Sequence, residues 1–159
     1  GVRNVTDDPA DDYDPSWAPD GSTLAFYSMY RSCTEPCDQS QADVYTIPAE
    51  GGEPVLLTGP EFDDSDPMWS PDGSRIFFSR AACCQFDIWS MDPDGTDRVR
   101  HTRTRRTDEG NVSFSSDATR FVFERSRGGD WGIWMMDLDR GSQTRLTPKG
   151  REAGTPDWL

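Results

Sequence analysis

The chain of 159 residues lacks several features on which whole classes of protein depend. Its one histidine, His101, is expected in a strand at the rim, and no Gly-x-Ser-x-Gly sequence is present, so we expect neither a Ser-His-Asp triad nor a multi-histidine metal centre within the chain. No apolar run approaches the roughly 20 residues of a transmembrane helix, and no signal peptide is recognisable. No stretch has convincing helical periodicity. We therefore expect an all-β chain that is not an enzyme and does not insert into a membrane.

Positive charge is also scarce. The chain has 29 Asp and Glu against 16 Lys and Arg, which gives a net charge of -13. Phosphate binding needs clustered Lys and Arg, so nucleic acid is excluded as a partner, and anionic membrane surfaces are disfavoured for the same reason. Five arginines around position 100 form the one basic cluster. We expect them to pair with local acids, and the alternative is a docking stripe on the rim. The five arginines are Arg98, Arg100, Arg103, Arg105 and Arg106.

One sequence pattern occurs three times and begins a fourth. It consists of an aromatic residue, a tight turn, an aliphatic-aromatic strand, a second aromatic strand and a closing Leu-Thr or its equivalent. The anchoring aromatics are Trp17, Trp69, Phe114 and Trp158, at spacings of 52, 45 and 44 residues. These spacings match the roughly 40 to 50 residues of a four-stranded propeller blade. In the third copy Ser115-Ser116-Asp117 replaces the Ser-Pro-Asp-Gly turn.

The second copy, Asp66-Pro67-Met68-Trp69-Ser70-Pro71-Asp72-Gly73, resembles the TolB-type, WD-like β-propeller repeat. The resemblance covers essentially the whole chain and implies an all-β fold, a β-propeller section with three complete four-stranded blades and partial blades at both ends. The blades are expected at about 14–58, 66–102 and 111–147, with partial strands at 2–6 and 155–159. This repeat occurs in translocation-complex subunits, peptidase propellers, lyases and secreted proteins, so it implies no chemistry.

Three blades leave a propeller incomplete, since closed propellers have four to eight. The remaining blades are expected either from a longer polypeptide or from further copies in a homo-oligomer. The partial strands at the two ends favour the longer polypeptide, and a sequence that begins at Gly1 without Met fits a processed or excerpted chain.

The four cysteines, Cys33, Cys37, Cys83 and Cys84, fall between the second and third strands of neighbouring blades. An even number of cysteines in loops favours disulfides and an oxidising compartment, so we expect a periplasmic or extracellular protein. Zinc is the alternative, although the spacing matches no established zinc pattern.

The acids concentrate in the connections that precede each blade. Asp14, Asp66, Asn111 and Thr155 each lie three residues before the anchoring aromatic, and are expected to form part of a ring at the channel mouth. Asp12 and Asp64 precede two of them and are added to the candidate set. Such a ring suits calcium, most directly at Asp14 and Asp66, or a Lys or Arg of a partner. The structural alternative is that Asp before Pro caps a turn.

These features predict a non-catalytic extracytoplasmic scaffold that binds a protein or peptide partner with a basic segment on its acidic loop face. The alternative is the propeller domain of a larger hydrolase, a peptidase or polysaccharide lyase, whose catalytic residues lie outside this chain. Trp131 departs from the repeat and is a candidate for stacking against a sugar.

Overall fold

The computed structural model describes residues 1–7, 9–29, 41–81, 85–151 and 153–158, and the chain in these ranges forms three antiparallel sheets of four strands each. Strands pair in chain order, which confirms the predicted all-β propeller section. Within these ranges no helix is long and apolar enough to cross a membrane. Blade 1 contains β1 Asp11–Trp17, β2 Thr23–Met29, β3 Ala42–Pro48 and β4 Val55–Leu56. Blade 2 contains β5 Asp63–Trp69, β6 Ile76–Ala81, β7 Phe86–Met91 and β8 Val99–Arg100. Blade 3 contains β9 Asp108–Phe114, β10 Arg120–Arg127, β11 Asp130–Asp137 and β12 Gln143–Arg145.

The fourth repeat docks on blade 3 in the way that blade 2 docks on blade 1. The amide of Trp69 donates to Ser16 Oγ at 3.0 Å, and the amide of Trp158 donates to Ser113 Oγ at the same distance. At the other end Val5 packs against a cluster on blade 1. Neither end segment forms a strand among the described residues, but both lie where the repeat places them.

The blades pack face to face through apolar side chains that alternate along each strand. Between blades 1 and 2, Ile76 and Phe78 join Ala25 and Val44 in one buried cluster. Phe77, between them in sequence, faces the opposite way and packs in the cluster between blades 2 and 3. The aliphatic and aromatic runs of the second strands therefore serve two interfaces each.

The closing threonine of each repeat extends a very short fourth strand. The amides of Val44, Ile88 and Ile133 donate to a threonine Oγ1 at 2.9, 2.9 and 3.0 Å. The acceptors are Thr58, Thr102 and Thr147. The fourth strand is only two or three residues long, so its backbone ladder ends before this amide of the third strand. The threonine hydroxyl accepts from the amide instead.

The turn of the third blade keeps the geometry of the others despite its different sequence. Asp72 accepts from Ser70 Oγ at 2.6 Å and from the Ser74 amide at 3.0 Å. In blade 3 Asp117 accepts from Ser115 Oγ at 2.7 Å and from the Thr119 amide at 3.1 Å. These bonds lower the pKa of Asp117 to about 2. Where blade 2 has Gly73 at φ 72°, blade 3 has Ala118 at φ 55°.

His101 lies between blades 2 and 3, although the sequence suggested a place at the rim. Its ring stacks on Phe77 with centroids 4.7 Å apart, and Nε2 lies 2.9 Å from Ser90 Oγ. Burial, helped by the charge of Arg75, lowers the pKa of His101 to about 4. The imidazole is therefore neutral at pH 7, and its Nε2 shares a hydrogen bond with the Ser90 hydroxyl.

Replacing Ala118 by glycine should stabilise the protein by about 1 kcal/mol, because glycine adopts positive φ without the steric cost that alanine bears. The matched control is Ser116→Gly in the same turn, which should be neutral or destabilising because Ser116 has no positive φ. Urea unfolding of the three proteins measures the difference. An Ala118→Gly protein no more stable than wild type would contradict the strain assigned to this turn.

His101 should make the stability of the protein depend on pH between about 6.5 and 4. The unfolded chain binds a proton at an ordinary histidine pKa, whereas the folded protein resists it until about pH 4. The free energy of unfolding therefore falls as pH is lowered through this window, by up to about 1.4 kcal/mol per pH unit, and recovers above it. His101→Gln should lose this component, and identical pH dependence of the two proteins in urea unfolding would refute it.

Candidate functional site

A bulge in the first strand of each blade positions the polar residues that the repeat aligns. The pairing of the first with the second strand shifts register there in all three blades. The bulged residue has a left-handed backbone: φ is 46° at Asp14, 51° at Asp66 and 53° at Asn111. Asp and Asn enter this region more readily than other non-glycine residues. The backbone itself thus favours these residue types, and it points them all the same way.

These residues line one groove on the channel side of the blades. Its volume is about 570 Å³, and Asp14, Asp66, Asn111 and Thr155 are all among its lining residues. The apolar part of the wall repeats as well. It consists of Pro15, Pro67, Met68, Val112 and Pro156. No Lys, Arg or His is among the described residues that line the groove, so its polar row is acidic and lacks a cation of its own.

Asp66 is partly buried and lies beside a second carboxylate. Burial raises its pKa, and the neighbouring carboxylate of Asp14 raises it further, while a hydrogen bond from Ser79 opposes the shift. The Ser79 hydroxyl donates to Asp66 Oδ2 at 2.9 Å. Two carboxylates held this close repel each other, and a cation between them would relieve the repulsion.

Gly110 permits this arrangement. A Cβ at this position would lie 2.8 Å from Ser79 Oγ and 3.0 Å from Asp66 Oδ2. Because β9 of blade 3 approaches the Asp66–Ser79 pair so closely, any side chain at Gly110 would displace it. Neither Ser79 nor Gly110 stands out in the sequence, since the repeat places no special residue at either position.

Asn111 continues the row with a neutral side chain. Its Nδ2 donates to Glu124 Oε2 at 3.0 Å, and Glu124 is 9% exposed. The amide thus links the groove to a buried carboxylate of the next strand. Glu124 is a further acid of this region that the aligned repeat did not single out.

Asp64 and Asp12 lie elsewhere. Asp64 is 0% exposed, and both its oxygens accept from Arg80, at 2.6 and 2.7 Å. A partner therefore cannot reach Asp64. Asp12 lines a different cavity, on the open face of blade 1 with Trp17 and Phe26. The structure therefore brings together Asp14, Asp66 and Asn111 and separates the other two candidates from them.

Other acids of the connections tie one blade to the next. Asp63 Oδ1 accepts from the amide of Ala42 at 2.8 Å, and Asp108 Oδ1 accepts from the amide of Phe86 at 3.3 Å. Each is the first residue of its blade and caps the third strand of the blade before it. Part of the acidic loop face thus serves the structure.

Two arginines of the basic cluster also bind other parts of the chain. Arg98 Nη2 donates to the carbonyl of Leu57 at 2.7 Å, and Arg100 pairs with Asp87. Arg103, Arg105 and Arg106 are exposed on the connection between blades 2 and 3.

The disulfide candidates Cys33, Cys37, Cys83 and Cys84 lie outside the described residues. Across the described ranges, no group of three or more His, Cys, Asp or Glu side chains is arranged to hold a metal ion. At the predicted calcium position, Asp14 and Asp66 supply two carboxylates, and the side-chain amide of Asn111 lies beside them.

The chain is similar in sequence or in structure to several known proteins. No protein-family model matches the chain. Over 63 residues it is 43% identical to the uncharacterised peptidase YuxL of Bacillus subtilis strain 168, a match that covers 40% of this chain and 8% of that peptidase. TolB from Acinetobacter baumannii superposes with a TM-score of 0.69 and 24% identity, over 90% of this chain and 34% of TolB.

A puromycin-hydrolysing peptidase of Mycobacterium tuberculosis superposes with a TM-score of 0.78 and 13% identity, over 98% of this chain and 25% of the peptidase. The match thus covers no more than 34% of the length of any of these proteins. At such identities the solved structures establish the architecture alone. The chain has a TolB-like β-propeller fold.

Proposed function

We propose that this chain is part of an extracytoplasmic β-propeller that binds a protein or peptide partner and has no active site of its own. The partner presents a basic segment, and one of its cationic side chains sits in the groove beside Asp14 and Asp66. The observation that carries the proposal is the pair of adjacent carboxylates in a groove whose described lining contains no cation.

The apolar wall of the groove supports an organic cation as the occupant. Pro15, Pro67 and Met68 offer a surface for the methylene stem of a lysine or arginine, whose charged end then reaches the carboxylates. Calcium would use the carboxylates and leave this wall without a role. The net charge of -13 adds long-range attraction for a basic partner.

The extracytoplasmic location rests on the four cysteines of the sequence and on the TolB-like fold. The apolar face of blade 1, where Trp17 is 57% exposed, is the surface on which a further blade would pack. That blade would come from a longer polypeptide or from a second copy of the chain.

The capped tripeptide Ala-Lys-Ala should bind at the groove and shift the backbone amide signals of Asp14, Asp66 and Asn111 in an NMR titration. Asp66→Asn should weaken binding about tenfold, as expected for loss of one charge-assisted hydrogen bond. Binding should also weaken as pH is lowered, because the raised pKa of Asp66 lets it take up a proton earlier than an ordinary Asp.

Asp94→Asn is the matched control, because it removes the same charge from an exposed turn. Equal weakening by the two substitutions would indicate only a general electrostatic effect and would overturn the groove as the site. Signals that move with calcium chloride and remain still with the peptide would assign the carboxylates to a metal instead.

A second candidate function is the propeller domain of a larger hydrolase. The 43% identity to a peptidase and the TM-score of 0.78 with another favour it. In that protein the catalytic residues would lie outside this chain, and the groove would face or admit the substrate.

The mass of the natural gene product separates these possibilities. A mass well above 17.9 kDa together with labelling by a fluorophosphonate would support the hydrolase. A mass of 17.9 kDa when denatured and a multiple of it under native conditions would show blades contributed by several copies.

A further inference from the structure

A small cavity opens between blades 2 and 3, next to the acidic groove. Its volume is about 120 Å³, and it shares Asp66 and Asn111 with the groove. Its other walls come from Glu109 and Glu124 of blade 3 and from two aromatic residues. These are Phe86 and Trp131.

The described lining of the cavity is negative and contains no cation. Asp66, Glu109 and Glu124 contribute carboxylates, and Asp108 lies at its edge with one oxygen on the amide of Phe86. No Lys, Arg or His of the described chain lines it. A positively charged group entering it would therefore meet complementary charge on several sides.

One carboxylate oxygen of Glu109 is available as a hydrogen-bond acceptor. Glu109 is 1% exposed and lines the cavity, and its Oε1 accepts from Arg125 Nε and from the Thr104 hydroxyl. Its Oε2 is buried and has no hydrogen-bond partner among the described residues. Buried carboxylate oxygens are nearly always paired with protein or with ordered water, so this oxygen can accept from a donor group or a water that enters the cavity.

The equivalent pair in blade 2 shows the contrast. There, both oxygens of Asp64 on β5 accept from the guanidinium of Arg80 on β6. In blade 3, Arg125 on β10 uses only Nε on Glu109 of β9 and donates from Nη2 to Gln143. The pair in blade 3 thus leaves one acceptor for another donor.

Trp131 is the residue that best defines the chemistry of that donor. It departs from the repeat, it is 39% exposed, and it lines the cavity beside the carboxylates. An indole face next to carboxylates binds organic cations, and binds the planar guanidinium especially well because the two stack. Guanidinium also brings several N–H donors, which suits a set of acceptors on different walls.

The size of the cavity favours a small group as its occupant. At about 120 Å³ it is smaller than the roughly 150 Å³ cavity that holds one benzene ring. A single guanidinium group fits within it, whereas a sugar ring stacked on Trp131 would lie largely outside it.

We propose that this cavity is a guanidinium pocket, which binds an arginine side chain of the partner in preference to lysine. The inference rests on the proposed function for the identity of the partner, a basic peptide that also contacts the groove. Trp131 provides the stacking surface, Asp66 and Glu124 accept from the outer N–H groups, and Glu109 Oε2 accepts from the deepest one.

The test compares the capped tripeptides Ala-Arg-Ala, Ala-Lys-Ala and Ala-citrulline-Ala, the last a neutral analogue of arginine. Wild-type protein should bind the arginine peptide about tenfold more tightly than the lysine peptide and the citrulline peptide more weakly than either. Trp131→Leu should reduce arginine binding about fivefold and leave lysine binding unchanged. Glu124→Gln should also act selectively on arginine, and Trp131→Phe should restore part of the preference.

Trp17→Leu is the matched control, since it removes another exposed indole far from the cavity, and it should change neither affinity. Equal affinity of wild type for the arginine and lysine peptides would overturn the proposal. So would equal weakening of both by Trp131→Leu.

A titration with methylguanidinium chloride separates this inference from the proposed function. The indole N–H signal of Trp131 should shift to saturation with methylguanidinium and much less with methylammonium. If neither lysine nor arginine peptide binds but this shift occurs, the proposed partner is wrong and the pocket stands. If methylguanidinium leaves the indole signal in place, the pocket is refuted even where peptides bind the groove.

Discussion

Each sheet of this propeller section can bury its two apolar faces only against the sheets on either side. The second strand of blade 2 shows the constraint at the level of single residues. Ile76 and Phe78 face blade 1, and Phe77 between them faces blade 3. Because side chains alternate along a strand, three consecutive apolar residues serve two interfaces. The acidic groove forms instead at the bulges of the first strands, where this regular pairing is interrupted.

The ends of the strands carry most of the charge, and much of it is already committed. Asp63 and Asp108 cap strands of the preceding blades, and Asp64 forms a buried ion pair with Arg80. Such a pair is tolerated in the interior only when both partners are fully satisfied. What remains for a partner is the bulged row that begins with Asp14 and the cavity beside it. The high acidic content thus divides into a structural part and a smaller part that is open to ligands.

The aligned repeat was sufficient to place the bulged residues together. Equivalent positions of stacked repeats lie side by side, so Asp14, Asp66 and Asn111 were predicted in one row, and the structure has them there. The separation of Asp64 from that row could not be read from the repeat. It lies two residues before Asp66, and only the pairing with a specific arginine on the neighbouring strand shows that it points into the interior. The contribution of Gly110 was equally hidden, because it arises from the approach of a different blade.

The sequence by itself determined the fold class, the repeat and the positions of its turns, because these depend on local residue preferences and on a period that one chain displays openly. It also determined the strongly negative net charge of the chain. Only the tertiary structure decided which acids are available and what lies between the blades. The cavity at Glu109 and Trp131 has walls from two blades, so its shape depends on how these blades pack. Whether Glu109 is fully satisfied there depends on how Arg125, on the neighbouring strand of the same blade, divides its donors between Glu109 and Gln143. Such sharing depends on distances between packed side chains, which the order of residues in the repeat does not reveal.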